Sequence, residues 1–293
     1  MAANAAKIFL HYSQEELDRN YNQRAWVSNA DELMGRWASN SAAVSARIAH
    51  RADVSYGPSA DEVLDIFTAH QANAPILVFI HGGAWRALTK KESCYAAEAF
   101  VNAGAHFIAV NFAVIPKVRM PDMIAQVRRA LGWVYHNARS FSGDPERIYV
   151  AGHSSGAHMA GVMLVTDWAA FGGLPANLIK GGFCTSGMYD LEPVMLSARS
   201  DYVKISKAEE VELSPIKHLE RLSCPVVLGY GGKETNEFQR QTRDFAASLE
   251  RIGKLSKLLF FPRLNHFEVA EELAKPDGQL CRAAFHEMGL TGV

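Results

Sequence analysis

From about residue 75 onward, short and mostly apolar runs recur at 76–80, 107–110, 148–151, 179–184, 226–228 and 258–261. Runs of this length with little polar alternation are the pattern of strands covered on both faces, and they fall far short of the ~20 residues a bilayer requires. Between them lie stretches of helical period. The clearest, 120–139, places Ile124, Val127, Leu131 and Val134 on one face, with Pro121 in its first turn. Another, 236–252, carries Phe238, Phe245 and Leu249 as its apolar stripe. Strands alternating with helices predict βαβ units and a mainly parallel sheet.

Upstream the texture differs. Residues 1–42 read as a partly polar helical segment. Ser13 followed by Glu16 is a capping-box signature that starts a helix near residue 14, and Trp26, Leu33 and Trp37 follow with roughly helical spacing. Runs at 44–48 and 63–67 then read as opening strands. Short turn-like segments around them predict antiparallel pairing before the parallel part begins. With no repeat, linker or low-complexity tract, 1–293 is expected to be a single domain, and 293 residues are ample for one large core.

Charge narrows the partners. The 30 Lys and Arg offset 31 Asp and Glu, which argues against a nucleic-acid backbone or an anionic membrane as partner. Cys94, Cys184, Cys224 and Cys281 form no CxxC pair and are too scattered for a disulfide framework or a zinc cluster. They read as buried thiols in a reducing compartment. The N-terminal stretch lacks the apolar run of a secretory signal, so a soluble, cytoplasmic protein is expected.

Candidate chemistry begins at Gly152-His153-Ser154-Ser155-Gly156, which has the form G-x-S-x-G, with a predicted strand before it and a helical run after it. That context is the nucleophile elbow, a sharp strand-to-helix turn that lifts a serine hydroxyl above the sheet. Ser154 is the nucleophile by this reading, and Ser155 contributes its backbone N–H. Earlier, His81-Gly82-Gly83-Ala84-Trp85 directly follows the strand at 76–80. Adjacent glycines leave backbone N–H groups unobstructed, as an oxyanion hole needs, so Gly82 and Gly83 join Ser155 as candidate donors.

A serine hydroxyl needs a base, and the chain order of this arrangement is serine, acid, histidine. His266, just past the strand at 258–261, is the best-placed base; His286 falls in a C-terminal helix starting near Gln279. The acid is expected after the strand at 226–228. Glu234 lies in that loop, Glu237 is expected to be solvated or capping within the next helix, and Asp190 is the reserve candidate. Trp85, Phe112, His158, Trp168 and Tyr189 are candidates to line the pocket, with core packing as the competing role for each.

Alternatives from other classes fare worse. His153 and His158 are five apart, which does not place them on one helix face as metal ligands, and there is no HExxH. The loop at 229–234 lacks Walker spacing, so a nucleotide site is not indicated. A non-catalytic binding protein on the same fold would be expected to have lost a triad member.

These motifs, with Tyr12-Ser13-Gln14, Tyr21-Asn22, Tyr56-Gly57-Pro58, the segment 186–193 and the stretch Thr235-Asn236-Glu237-Phe238-Gln239-Arg240-Gln241, run nearly end to end. Together they resemble the kynurenine formamidase-like (arylformamidase-like) esterases of the α/β-hydrolase superfamily, near the hormone-sensitive-lipase group. The resemblance implies an α/β-hydrolase fold with a mostly parallel eight-stranded sheet. It also implies a helical N-terminal cover, a metal- and cofactor-free serine hydrolase, a small acyl substrate and often a homodimer. It carries Ser154, Glu234 and His266 over as the triad. The scissile bond is left among ester, formamide, other amide and carbamate. Relatives commonly have an Asn-Tyr-Arg-Leu-Ala-Pro-like stretch where this chain has Asn111-Phe112-Ala113-Val114-Ile115-Pro116. Loss of a hydroxyl and a cation from a segment expected near the pocket points to a more apolar substrate.

Overall fold

The computed structural model describes residues 6–290; the first five positions of the 1–42 segment and the last three of the chain lie outside the described residues. Eight strands form one sheet: β1 (His50–Ser55), β2 (Val63–Phe67), β3 (Ala74–Ile80), β4 (His106–Val110), β5 (Gly143–His153), β6 (Ile179–Thr185), β7 (Val226–Gly231) and β8 (Leu255–Phe261). Their spatial order is β1-β2-β4-β3-β5-β6-β7-β8. β2 pairs antiparallel with both β1 and β4, and every other pairing is parallel. The mostly parallel sheet and its antiparallel opening therefore match the expectation from sequence.

Larger helices cover both faces: α1 (Gln14–Asn20), α2 (Ala30–Arg47), α3 (Ala97–Asn102), α4 (Met120–Asn137), α5 (Ser155–Leu164), α6 (Asn236–Arg251) and α7 (Gln279–Met288). The central strands feed both layers. In β3, Ile76, Val78 and Ile80 enter the core under α4, α5 and α6, while Leu77 and Phe79 enter the core under α2, α3 and α7. Such two-sided burial explains why these strands read as continuous apolar runs. Among the described residues no helix is long and apolar enough to cross a membrane.

Two local expectations are corrected. The run at 44–48 is not a strand: α2 continues to Arg47, and β1 starts only at His50. Leu33, Trp37, Ser41 and Val44 are all buried along α2, so Val44 extends a helical stripe rather than opening a pleat. Trp26 is not on that stripe. It is half exposed, and its indole N–H donates to the carbonyl of Arg19 at 3.0 Å. The capping box is present as read, with Glu16 accepting the Ser13 N–H at 2.7 Å.

Candidate active site

Ser154 stands at the end of β5 with φ 58° and ψ −124°, in the left-handed half of backbone space where a non-glycine residue is strained. The flanking glycines make the turn possible. A Cβ on Gly152 would lie 2.3 Å from the Gly156 carbonyl oxygen, and one on Gly156 would lie 2.1 Å from that of Ile80. Ser154 N–H donates to the Thr185 carbonyl at 2.9 Å, tying the turn to β6.

The other two members arrive from separate loops. His266 opens a short helix, His266–Ala270, whose start is fixed by the Asn265–Glu268 capping box. Glu234 follows β7. The His266 Nδ1–H donates to Glu234 Oε1 at 2.7 Å, and Nε2 accepts from Ser154 Oγ at 3.0 Å. Glu234 Oε2 accepts the Gly231 N–H at 3.1 Å, which locks the carboxylate plane. All three side chains are buried. Burial pushes the His266 imidazole well below its ordinary value, and the Arg199 guanidinium adds to the push. The same burial drives Glu234 upward, opposed by the Ser186 hydroxyl and the Gly231 N–H.

The other acids are placed elsewhere. Glu237 is in α6, fully buried rather than solvated, and its carboxylate pairs with Arg240 at 2.6 Å. Asp190 pairs with Lys217 at 3.3 Å. His286 is exposed.

Beside Ser154, the loop after β3 turns through three successive left-handed residues, Gly83 (φ 99°), Ala84 (54°) and Trp85 (62°). Trp85 N–H donates to Ser155 Oγ at 3.2 Å, which pins the loop to the N-terminus of α5. The N–H groups of Gly82, Gly83 and Ser155 find no acceptor among the described residues. Gly82 sits against the elbow, where an added Cβ would be 3.4 Å from Ser154 Cβ.

A cavity of about 860 Å³ opens over Ser154 and His266, a size suited to a small organic ligand. None of the five pocket candidates lines it. Trp85 and His158 bond each other at 3.2 Å beneath the site, and His158 Nε2–H donates to the Leu213 carbonyl at 2.8 Å. Phe112 stacks on His81 with centroids 4.1 Å apart. Trp168 donates to the Met163 carbonyl, and Tyr189 stacks on Phe245 at 4.1 Å. Large aromatics close to a motif in sequence here fill the core that supports it. Because the 111–116 segment is absent from the cavity wall, its apolar character says nothing about the substrate.

The walls come instead from the N-terminal segment (Arg19, Tyr21, Trp37), the 83–88 loop and the 198–202 segment, with Arg86 and Arg199 among them. Sequence reasoning missed these residues, Trp37's cavity role included, because none belongs to a chemical motif. Their one detectable signal is Tyr21, which lies in the leading segment that carries part of the family resemblance. Among the described residues, no three His, Cys, Asp or Glu side chains are gathered as a metal would need.

Comparison with known proteins agrees with this architecture. The BD-FAE family model matches residues 64–172, and the Carboxylesterase family model matches 124–224. Kynurenine formamidase of Danio rerio is 30% identical over 94% of this chain and 97% of its own length. The Salmo salar kynurenine formamidase is 32% identical over 81% of each. A crystal structure from Silicibacter sp. tm1040, provisionally assigned as a thioesterase, superposes with a TM-score of 0.80 at 25% identity, covering 92% of this chain and 98% of that one. The chain is an enzyme of the hydrolase class and belongs to the arylformamidase-like esterases of the α/β-hydrolase superfamily.

Proposed function

We propose that this protein is a metal-independent serine hydrolase that cleaves an ester or aryl-formamide bond of a small substrate through an acyl-enzyme. The observation that carries this reading is the continuous hydrogen-bonded chain from Glu234 through His266 to Ser154, beside three backbone donors that have no acceptor of their own. Curated relatives that are kynurenine formamidases favour the formamide, and the carboxylesterase match favours the ester.

His266 Nε2 takes the Ser154 proton as Oγ forms a bond to the acyl carbon, and the carbonyl electron pair moves onto oxygen. Gly82, Gly83 and Ser155 N–H groups receive that oxyanion, each worth about 3 kcal/mol of barrier by comparison with similar donors. Glu234 holds the imidazole in the tautomer that keeps Nε2 free and stabilises the imidazolium. The imidazolium then protonates the leaving amine or alcohol as its bond to carbon breaks. Water, deprotonated by the same imidazole, releases the acyl group. Four buried free thiols fit a reducing, cytoplasmic setting.

Two experiments test the reading. A fluorophosphonate probe should label the wild type at Ser154 and leave Ser154→Ala unlabelled, with turnover of the variant down at least about 10⁴-fold. Initial rates on matched aryl acetate, N-formyl aryl amine and aryl carbamate then assign the scissile bond. Wild-type turnover by Ser154→Ala, or loss of activity to a strong chelator, rules the mechanism out.

A further inference from the structure

We infer that Arg199 is an anion anchor in the cavity, holding a carboxylate carried by the substrate beside the bond that Ser154 attacks. This deepens, and rests on, the hydrolase reading above. Arg199 lines the same cavity as Ser154 and His266 and is half-buried there. Its guanidinium lies among the rings of Tyr21, Trp85 and Phe238, with centroids 5.4, 5.6 and 5.8 Å away. Nε and Nη2 both donate to the Tyr21 carbonyl, at 3.2 and 2.7 Å, and Nη1 reaches the Met188 sulfur at 3.5 Å. Those contacts fix the guanidinium plane, yet they leave N–H donors on both terminal nitrogens unused.

Among the described residues, no carboxylate oxygen lies within 4.0 Å of this cation. A guanidinium partly withdrawn from water without a counter-ion is unfavourable, and a carboxylate that offers two oxygens to the fork supplies what is missing. The other charges on the cavity wall are accounted for differently. Arg24 pairs with Asp31, and Asp18 accepts from Gln14 and from the Ala198 N–H at 2.6 Å. Arg19 and Arg86 are exposed and stack on Trp26 and Tyr202, at 4.8 and 4.5 Å. Glu15 and Asp201 are exposed acids at the rim. Apart from the triad's Glu234, which His266 engages, the half-buried charge lining the cavity near the nucleophile is Arg199, and the rim acids Glu15 and Asp201 stand in water where they are screened.

The test compares two esters that differ only in charge, (3-acetoxyphenyl)acetate and its neutral isostere (3-acetoxyphenyl)acetamide, on wild type, Arg199→Met and Arg199→Lys. The wild type should favour the carboxylate ester by about tenfold or more in kcat/KM, mostly through KM. Arg199→Met should reduce that selectivity ratio by about 30-fold, and Arg199→Lys should restore part of it. A wild-type ratio near one, or a ratio unchanged in Arg199→Met, overturns the anchor. Calorimetric titration with phenylacetate and phenylacetamide separates this from failure of the hydrolase reading. If neither ester is cleaved, that reading falls, while phenylacetate binding to wild type but not to Arg199→Met upholds the anchor. Equal binding to both proteins, or none, overturns it.

Discussion

Asn20 caps a helix to which it does not belong. Its Oδ1 accepts the backbone N–H of Glu237, in the first turn of α6, at 3.2 Å across 217 positions of sequence. Thr235, the N-cap residue of α6, makes no cap of its own. Its hydroxyl instead donates to the Asn20 carbonyl at 2.7 Å and accepts from Gln23 Nε2 at 2.9 Å. Tyr21 Oη completes the contact by donating to Glu237 Oε1 at 3.1 Å. The N-terminal segment that walls the cavity is therefore bolted to the residues directly after Glu234. These are also two of the stretches that carry the family resemblance in the sequence, and in the fold they touch.

Breaking that joint should disturb both stability and chemistry. Thr235→Val removes the hydroxyl and leaves the Asn20 carbonyl and the Gln23 amide without this partner, a loss of about 1–3 kcal/mol. Thermal denaturation should show a lower Tm, and kcat should fall by about tenfold as the Glu234 loop loosens. Unchanged kcat at reduced Tm would show that the joint is structural only.

The two neighbouring acids should behave oppositely. Glu234→Gln keeps shape but removes the charge that orients His266, so kcat should drop about 10³- to 10⁴-fold with little change in Tm. Glu237→Gln weakens the buried acceptor of Arg240 and Tyr21 and should cost about 1–3 kcal/mol of stability, Arg240 keeping its second partner, Asp244. Steady-state kinetics and denaturation of both variants decide the assignment.

Gly83→Ala should damage the oxyanion loop. Gly83 has φ 99°, and an added Cβ would stand 2.0 Å from the Ala87 carbonyl oxygen, so the loop must move. Displacing one donor should lower kcat by about 10²-fold with a much smaller change in KM. A raised KM at unchanged kcat would place the effect on substrate binding instead.

His266 must be unprotonated to act as base. Burial, and then Arg199, hold its pKa below the ordinary 6.5, so the base form survives below that pH. The acid limb of kcat/KM should have a midpoint under 6.5. Arg199→Met removes one of the two causes and should move the midpoint upward, whereas Arg199→Lys should leave it nearly in place. His153 and Glu234 are the other titratable groups against this ring. A midpoint unmoved by Arg199→Met contradicts the prediction.

His158 supplies a stability signature. Its folded pKa is depressed to about 4 by burial, although the hydrogen bond to Leu213 opposes the shift. The unfolded chain takes up a proton below about 6.5 that the folded chain refuses, so stability is full above 6.5 and declines as pH falls toward 4. Replacement by glutamine keeps a donor for Leu213 and an acceptor for Trp85. His158→Gln should therefore lose about 2 kcal/mol less than wild type between pH 6.5 and 4.5, measured by urea denaturation.

Residue order alone contained the sheet from β2 onward and the Ser154, Glu234 and His266 assembly, because each rests on short-range physics. Unbroken apolar runs mean strands covered on both faces. A glycine-flanked serine between strand and helix means an elbow. A histidine and an acid just past the last two strands have only one end of the sheet to reach. The cavity wall followed no such rule. Hydrophobicity near Trp85, Phe112, His158, Trp168 and Tyr189 says that these groups are buried, but not which face of the sheet or which neighbour they are buried against. All five turned into the supporting core. Val44 likewise could be strand or helix until α2 packed its stripe against the sheet. Arg199, Tyr21 and Asn20 acquire their roles only where segments some two hundred positions apart meet, and no local pattern encodes that meeting.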